Sequence, residues 1–305
     1  MPHSRKPSRD KATRPDDGLT REQIDSFRKD GFLVLPNVIH GAELEALQEE
    51  TLRLVERARD DPRDPDFKYR THEVTGERVP FRIEYVIDKT SSAKALLGHP
   101  SVLRAVGQLQ GPRFIPTWDS MVFKEEGQGA AIPWHRDAGR RHQLGDTPIF
   151  NVDFYLDASD RTNCLWAIPG SQRWSDDEAA RTIDALSAGG FQTEGAVSLE
   201  LAPGDVLLHD ILTVHGSPPA RSGLRRVLYF EFRPVDTELA IGPHVPEYVA
   251  LKQCVLLAAI EERRRTSHAR NERPFEYSGE LLARGDEPLT TWRYPHEQFW
   301  RQASG

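Results

Sequence analysis

His135 and Asp137 stand two residues apart in Ile132-Pro-Trp-His-Arg-Asp137, a stretch that reads as a strand. Side chains at i and i+2 of a strand share a face, so an imidazole nitrogen and a carboxylate oxygen there converge on one cation. A second histidine from elsewhere completes a two-His, one-carboxylate set, which holds non-haem Fe(II) and leaves coordination positions open. His215, in Ile211-Leu-Thr-Val-His-Gly-Ser217, is the candidate for that ligand. An isolated H-x-D is a weak signal, because most such histidines are structural or exposed. The company it keeps gives it weight. His215 follows the Pro203-Gly204-Asp205 turn and precedes Arg225 and Arg226, which open a strand over 224–232. A guanidinium there would hold the far carboxylate of a chelating dicarboxylic acid by a planar, two-point pairing. Alternation decides which arginine faces inward. Arg226 shares its face with Leu228, Phe230 and Phe232, and Arg225 with Val227, Tyr229, Glu231 and Arg233. The wholly apolar companions favour Arg226 as the inward one; the plain alternative puts both in surface salt bridges. His-Arg-Asp also occurs in kinase catalytic loops, but the asparagine required five residues on is His142 here, and no Asp-Phe-Gly follows.

These residues need a scaffold, and the chain supplies two kinds. Up to Gly111 it is helix-rich. Thr20 and Gln23 form a capping box ahead of a helix to Asp30, and Gly31 suits the left-handed residue after it. A short strand at 32–35 is followed by an amphipathic helix over 41–59, a polar loop over 60–66, a strand over 79–87, and helices at 92–97 and 100–109. After Gly111 come strand candidates at 114–124, 131–137, 148–156, 164–168, 196–201, 206–209, 211–215 and 224–232, with an inserted helix at 176–186. Many short strands separated by turn signals argue for a mainly β fold with flanking helices, a double-stranded β-helix of the jelly-roll, cupin-like kind. A long helix at 246–265 and an aromatic tail complete the chain. The expected organisation is a disordered basic tail over 1–18 and one domain over 19–305, comprising a helix-rich part (19–111), a jelly-roll core (112–233) and a C-terminal helical extension (234–305).

Composition narrows the partners. A net charge of −7 over 305 residues does not suggest a nucleic-acid surface, and no stretch is long and apolar enough to span a membrane. Two cysteines, Cys164 and Cys254, form no disulfide framework or zinc pattern, and the first residues carry no apolar signal core. Both point to a cytoplasmic setting.

Four stretches taken together resemble the phytanoyl-CoA dioxygenase family of Fe(II)- and 2-oxoglutarate-dependent oxygenases. They are Leu19 to Phe32, Trp134-His-Arg-Asp137, Asn163-Cys-Leu-Trp-Ala-Ile-Pro-Gly-Ser171, and Pro203-Gly-Asp205 through His215-Gly-Ser217 to Arg226. The resemblance implies iron on His135, Asp137 and His215, and 2-oxoglutarate on Arg226 with help from Ser217 and, more weakly, Asn151. It implies decarboxylation of 2-oxoglutarate with O2 to succinate and CO2, coupled to oxidation of a small organic metabolite. Related halogenases carry a small residue in place of the carboxylate ligand, so Asp137 favours hydroxylation or another oxidation over halogenation. By the same analogy Arg82, Glu84 and Tyr85 lie near the pocket, although a charged strand edge in solvent is the plainer reading. Trp118 and Met121 either line the pocket or pack in the core. Arg140, with Arg141 and His142, lies on a loop that either covers the iron or is simply solvated. Rival readings are a cupin-like isomerase or hydrolase using another divalent metal, and a non-catalytic metabolite-binding barrel.

Overall fold

The computed structural model describes residues 18–72, 75–127, 131–138, 147–221, 223–282 and 289–301. Residues 1–17 of the basic tail, and the loop carrying Arg140, lie outside them. Among the described residues the strands form a larger and a smaller sheet, each antiparallel. The larger runs β1 (Phe32–Leu35), β9 (Val206–Asp210), β6 (Phe150–Tyr155), β11 (Arg225–Pro234), β4 (Phe114–Lys124), β3 (Arg78–Glu84) and β2 (Phe67–Thr71). The smaller runs β5 (Ile132–His135), β10 (His215–Ser217), β7 (Leu165–Ala167) and β8 (Val197–Leu199). Tyr155, Leu207 and Val227 of the larger sheet pack in one cluster with Leu165, Ala167 and Leu199 of the smaller. This is the expected double-stranded β-helix.

Both faces of the larger sheet are covered, and this overturns one expectation from alternation. Met121, Phe123, Phe150, Phe154, Leu228, Phe230 and Phe232 belong to one buried cluster with Phe27, Leu47, Val55, Leu96, Val106 and Leu256 from the helices. The apolar face of β11 therefore looks out at the helical layer. The mixed face, with Arg225, Val227, Tyr229 and Glu231, looks into the barrel. Uniformly apolar companions mark the dry interface, not the site, when a sheet is buried on both sides.

The flanking elements follow local rules. Helix α1 (Arg21–Asp30) is capped by Thr20, whose Oγ1 accepts from the Gln23 amide at 3.2 Å while the Gln23 side chain accepts from the Thr20 amide at 2.9 Å. Gly31 stops it at φ 82° and hands the chain to β1. Gly204 takes φ 87° against the Ile39 carbonyl, where a Cβ would sit 1.9 Å from the oxygen; this turn lets β9 pair with β1. Helix α2 (Gly41–Asp60), the short α3 (Val86–Lys89) and α4 (Ser91–Leu97), then α5 (Pro100–Gln110), close over the outer face. The insert helix α6 (Asp176–Gly189), the short α7 (Val235–Ile241) and the long α8 (Pro246–Arg265) follow. Strand β2 and helix α7 were not expected from the sequence. Phe275, Tyr277, Trp292 and Phe299 of the tail pack on the main cluster, so the aromatic tail docks on the body. Among the described residues no helix is long and apolar enough to cross a membrane.

Candidate metal and cosubstrate centre

His135 ends β5 and His215 begins β10, and the two are direct cross-strand partners. Their rings lie with centroids 4.3 Å apart, tilted by 51°. Asp137 arrives differently from the expected i, i+2 strand geometry. The strand stops at His135, and the Asp137 amide donates to the Ile211 carbonyl at 2.9 Å, which turns its carboxylate back toward the rings. Ile211 lies in a turn rather than in a strand: the Thr213 amide donates to the Asp210 carbonyl at 2.8 Å. That turn carries the chain from the larger sheet to the smaller one, so His215 opens a strand instead of closing one.

One ligand atom from each of the three residues lies within 4.8 Å of the other two. Nδ1 of His135 faces the Pro133 carbonyl at 2.8 Å, and Nδ1 of His215 faces the Thr213 carbonyl at 2.8 Å. A carbonyl only accepts, which assigns the proton to Nδ1 in both rings and leaves each Nε2 lone pair for a cation. Asp137 Oδ1 lies 3.3 Å from His135 Nε2 and 3.7 Å from His215 Nε2. Burial pushes His215 down to about 3 and keeps it neutral, the form that binds a metal. Burial works against the Asp137 carboxylate, but His215, His135 and His209 together hold it well below the usual range. Burial works against a proton on His135 too, but Asp137 outweighs it and favours the charged ring; a cation would take that proton's place, so the two imidazoles and the carboxylate fit a divalent cation of the facial-triad type.

Asp137 Oδ2 is held separately. It accepts from Asn151 Nδ2 at 2.9 Å and from His209 Nε2 at 3.1 Å. His209 Nδ1 in turn donates to Asp153 Oδ2 at 2.8 Å. Burial alone would lower the His209 imidazole, but the Asp153 and Asp137 carboxylates raise it to about 10. Its ring thus ties β9 and β6 to Asp137 through both nitrogens. Sequence reasoning gave His209 no role. Its signal was a histidine on β9 alternating with Leu207, opposite Asn151 of β6.

The triad opens into a cavity of about 350 Å³, also lined by Asn151, Ser217, Arg225, Arg82, Trp118 and Tyr229. The expectation for Arg226 is corrected here. Arg226 lies behind the sheet, where Nε and Nη2 grip Asp157 at 2.8 and 2.7 Å and Nη1 donates to the Gln48 carbonyl of α2 at 2.5 Å. Arg225 occupies the barrel instead, donating to the Asn163 carbonyl at 2.6 Å, and its buried Nε has no hydrogen-bond partner among the described residues. Ser217 faces the cavity and accepts from Lys124 Nζ at 2.7 Å.

The substrate candidates divide. Arg82 and Trp118 line the cavity. Glu84 is buried behind them, accepting from Trp118 Nε1 at 2.7 Å. Met121 is wholly buried on the outer, helix-facing side and cannot reach substrate. Tyr85 also misses the cavity: it adopts φ 55° where β3 gives way to α3, and its hydroxyl donates to Glu297 of the tail at 3.1 Å. Arg140 lies outside the described residues. Arg70, Phe81 and Glu231 line the cavity and were not foreseen.

With this geometry in hand, the sequence profile described as phytanoyl-CoA dioxygenase (PhyH) matches residues 27–227, more than half of the chain. The chain belongs to the phytanoyl-CoA dioxygenase family. Within and around this family, the chain is 28% identical over 170 residues to the ectoine dioxygenase of Halomonas elongata, covering 53% of this chain and 49% of that protein. It spans only about half the length of that relative. It is 26% identical over 216 residues to the 2-aminoethylphosphonate dioxygenase of uncultured bacterium HF130_AEPn_1, covering 70% and 80% of the two chains. Among solved structures, AviO1 of Streptomyces viridochromogenes Tue57 superposes with a TM-score of 0.60 at 28% identity, covering 69% of this chain and 93% of AviO1.

Proposed function

We propose that this member of the phytanoyl-CoA dioxygenase family is an Fe(II)- and 2-oxoglutarate-dependent dioxygenase that hydroxylates a small organic metabolite. The observation carrying the proposal is the convergence of His135 Nε2, His215 Nε2 and Asp137 Oδ1, with each Nδ1 anchored on its own backbone carbonyl. His135, Asp137 and His215 are the proposed iron ligands. Fe(II) bound there supplies the oxidative chemistry: 2-oxoglutarate, O2 and a substrate C–H yield succinate, CO2 and the hydroxylated product.

The chain's own residues bind and orient. Arg225 takes the place expected of Arg226: its guanidinium is buried beside Tyr155, faces the cavity, and suits the distal carboxylate of 2-oxoglutarate. Ser217, fixed by Lys124, supplies a hydroxyl to the same carboxylate. Asn151 serves Asp137 rather than the cosubstrate, since its amide is already committed to Oδ2. The apolar walls from Val122, Ile132 and Leu165 exclude water. The dioxygenase names of two relatives support the class, and a reducing cytoplasm suits unpaired Cys164 and Cys254.

The test is succinate release from 2-oxoglutarate under air, with and without Fe(II). Iron-dependent release is expected, with the 2-oxoglutarate KM raised about tenfold or more by Arg225→Gln, the loss of a charge-assisted pair. Release without iron, or an unchanged KM in that variant, would contradict the assignment.

A further inference from the structure

The cavity holds more positive charge than iron and 2-oxoglutarate require. Arg70 of β2 and Arg82 of β3 both line it, and both lie on Phe81, with guanidinium carbons 4.0 and 5.8 Å from the ring centroid. Arg82 also lies over the Trp118 ring at 5.0 Å. Arg82 has a carboxylate neighbour, Glu84, at 3.1 Å. Arg70 has none among the described residues: its hydrogen bond runs from Nη1 to the Ala131 carbonyl at 3.2 Å. The cavity's other carboxylates are taken. Asp137 belongs to the triad, and Glu231 accepts from Thr117 and pairs at 2.7 Å with Arg233, which it shares with Glu238 at 3.2 Å; Glu238 is in turn bonded to His244 at 2.7 Å.

Counting charges makes the surplus explicit. A dication, the Asp137 carboxylate, Arg225 and a 2-oxoglutarate dianion sum to zero, and His209 with Asp153 adds no net charge whichever of the two holds the proton between them. Burial, with Arg225 and Arg70 nearby, pulls Lys124 down to about 6, so it adds little charge. Arg70 is left over. Burial and the neighbouring Arg82 both disfavour its charged form, a cost that an anion between them would relieve.

We propose that Arg70 and Arg82 form an oxyanion subsite for the primary substrate, so that the molecule oxidised carries a carboxylate or phosphoryl group held against Phe81 and Trp118. The planar forks of two arginines suit either oxyanion by charge-assisted hydrogen bonds, and the two rings suit an apolar segment beside it. The proposal rests on Arg225 being the cosubstrate anchor, because otherwise Arg70 would serve 2-oxoglutarate.

The experiment uses the full chain loaded with Mn(II) and saturating 2-oxoglutarate, titrated calorimetrically with phenylphosphonate, phenylacetate and benzyl alcohol. At least one anionic probe is expected to bind about tenfold or more tightly than the alcohol, with the stronger of the two distinguishing phosphoryl from carboxylate. Arg70→Gln should erase that preference and Arg70→Lys keep part of it, while 2-oxoglutarate affinity in both stays within about twofold of the parent. Absence of binding by both anions, equal binding of the alcohol, or a preference surviving in Arg70→Gln would overturn the subsite. Loss of 2-oxoglutarate binding in Arg70→Gln would overturn it too. Unchanged 2-oxoglutarate binding in Arg225→Gln would sink the cosubstrate assignment; the subsite would fall with it if Arg70→Gln lost 2-oxoglutarate binding, and would stand if Arg70→Gln lost only the anion preference.

Discussion

At Asp137 each carboxylate oxygen has a separate task. Oδ1 faces the two histidine Nε2 atoms, while Oδ2 is saturated by Asn151 and His209. Saturating one oxygen fixes the rotamer and leaves the other to bind a cation through a single atom. His209→Asn would remove the link to Asp153 and let the carboxylate turn. Iron affinity is expected to fall about 10- to 100-fold, the usual loss for a partner behind a metal ligand. An anaerobic Fe(II) titration against a competing chelator measures it, and an unchanged dissociation constant would show that Asn151 suffices. The convergence of the three residues was legible because H-x-D and a later histidine before Gly-Ser are local patterns. The role of His209 was not, since it arises only when β9 and β6 lie side by side and place Asp153 beneath the ring.

The two neighbouring arginines of β11 show where strand periodicity carries information and where it stops. Alternation says that Arg225 and Arg226 point oppositely, and they do. It cannot say which side is the barrel, because both faces of β11 are buried and hydrophobicity marks the helix-packed one. Arg226 is a strut between β11 and α2, held by Asp157, the Gln48 carbonyl and Thr51. Arg226→Ala would leave Asp157 unpaired at a mostly buried site and is expected to destabilise the fold by about 3 kcal/mol. Chemical denaturation would measure this, with the 2-oxoglutarate KM of the folded variant unchanged. A stable variant with a raised KM would mean that Arg226, not Arg225, anchors the cosubstrate. Other elements were readable where local chemistry sets them. The capping box and Gly31 bound α1, and proline at the first helical position starts α5 and α8. Strand β2 was missed although Phe67-Lys-Tyr-Arg-Thr71 alternates aromatic and basic residues, because the run is only five residues long, follows a polar proline-interrupted stretch, and gains its order by pairing with β3.

Across the whole molecule, the C-terminal tail is tied back to the N-terminal third. Arg293 donates through Nε and Nη2 to Asp66 at 2.9 and 2.7 Å, and Lys89 donates to the same carboxylate at 2.7 Å. Burial pushes the Asp66 carboxyl up, but the hydrogen bonds and charges of Arg293 and Lys89 outweigh it and hold the group below its ordinary value. A folded-state value below the unfolded one stabilises the protein above the unfolded pKa of about 4 and ceases to do so as pH falls through the lower folded value. Asp66→Asn is therefore expected to lower the melting temperature at pH 7, and the gap from the parent should close below about pH 4. A gap that persists undiminished in acid would mean the carboxylate charge is not what binds the tail. A contact spanning 227 residues leaves no local mark, which is why the tail's aromatic content announced docking but not its anchor.

A single cation held jointly by two strands and the turn beside them is the central proposal. The most direct test is the stoichiometry and affinity of Fe(II) under anaerobic equilibrium dialysis in the parent, Asp137→Ala and His215→Ala proteins. One iron per chain is expected in the parent, with none retained at micromolar metal in either variant. A variant lacking His215 that still keeps one tightly bound iron would contradict the account.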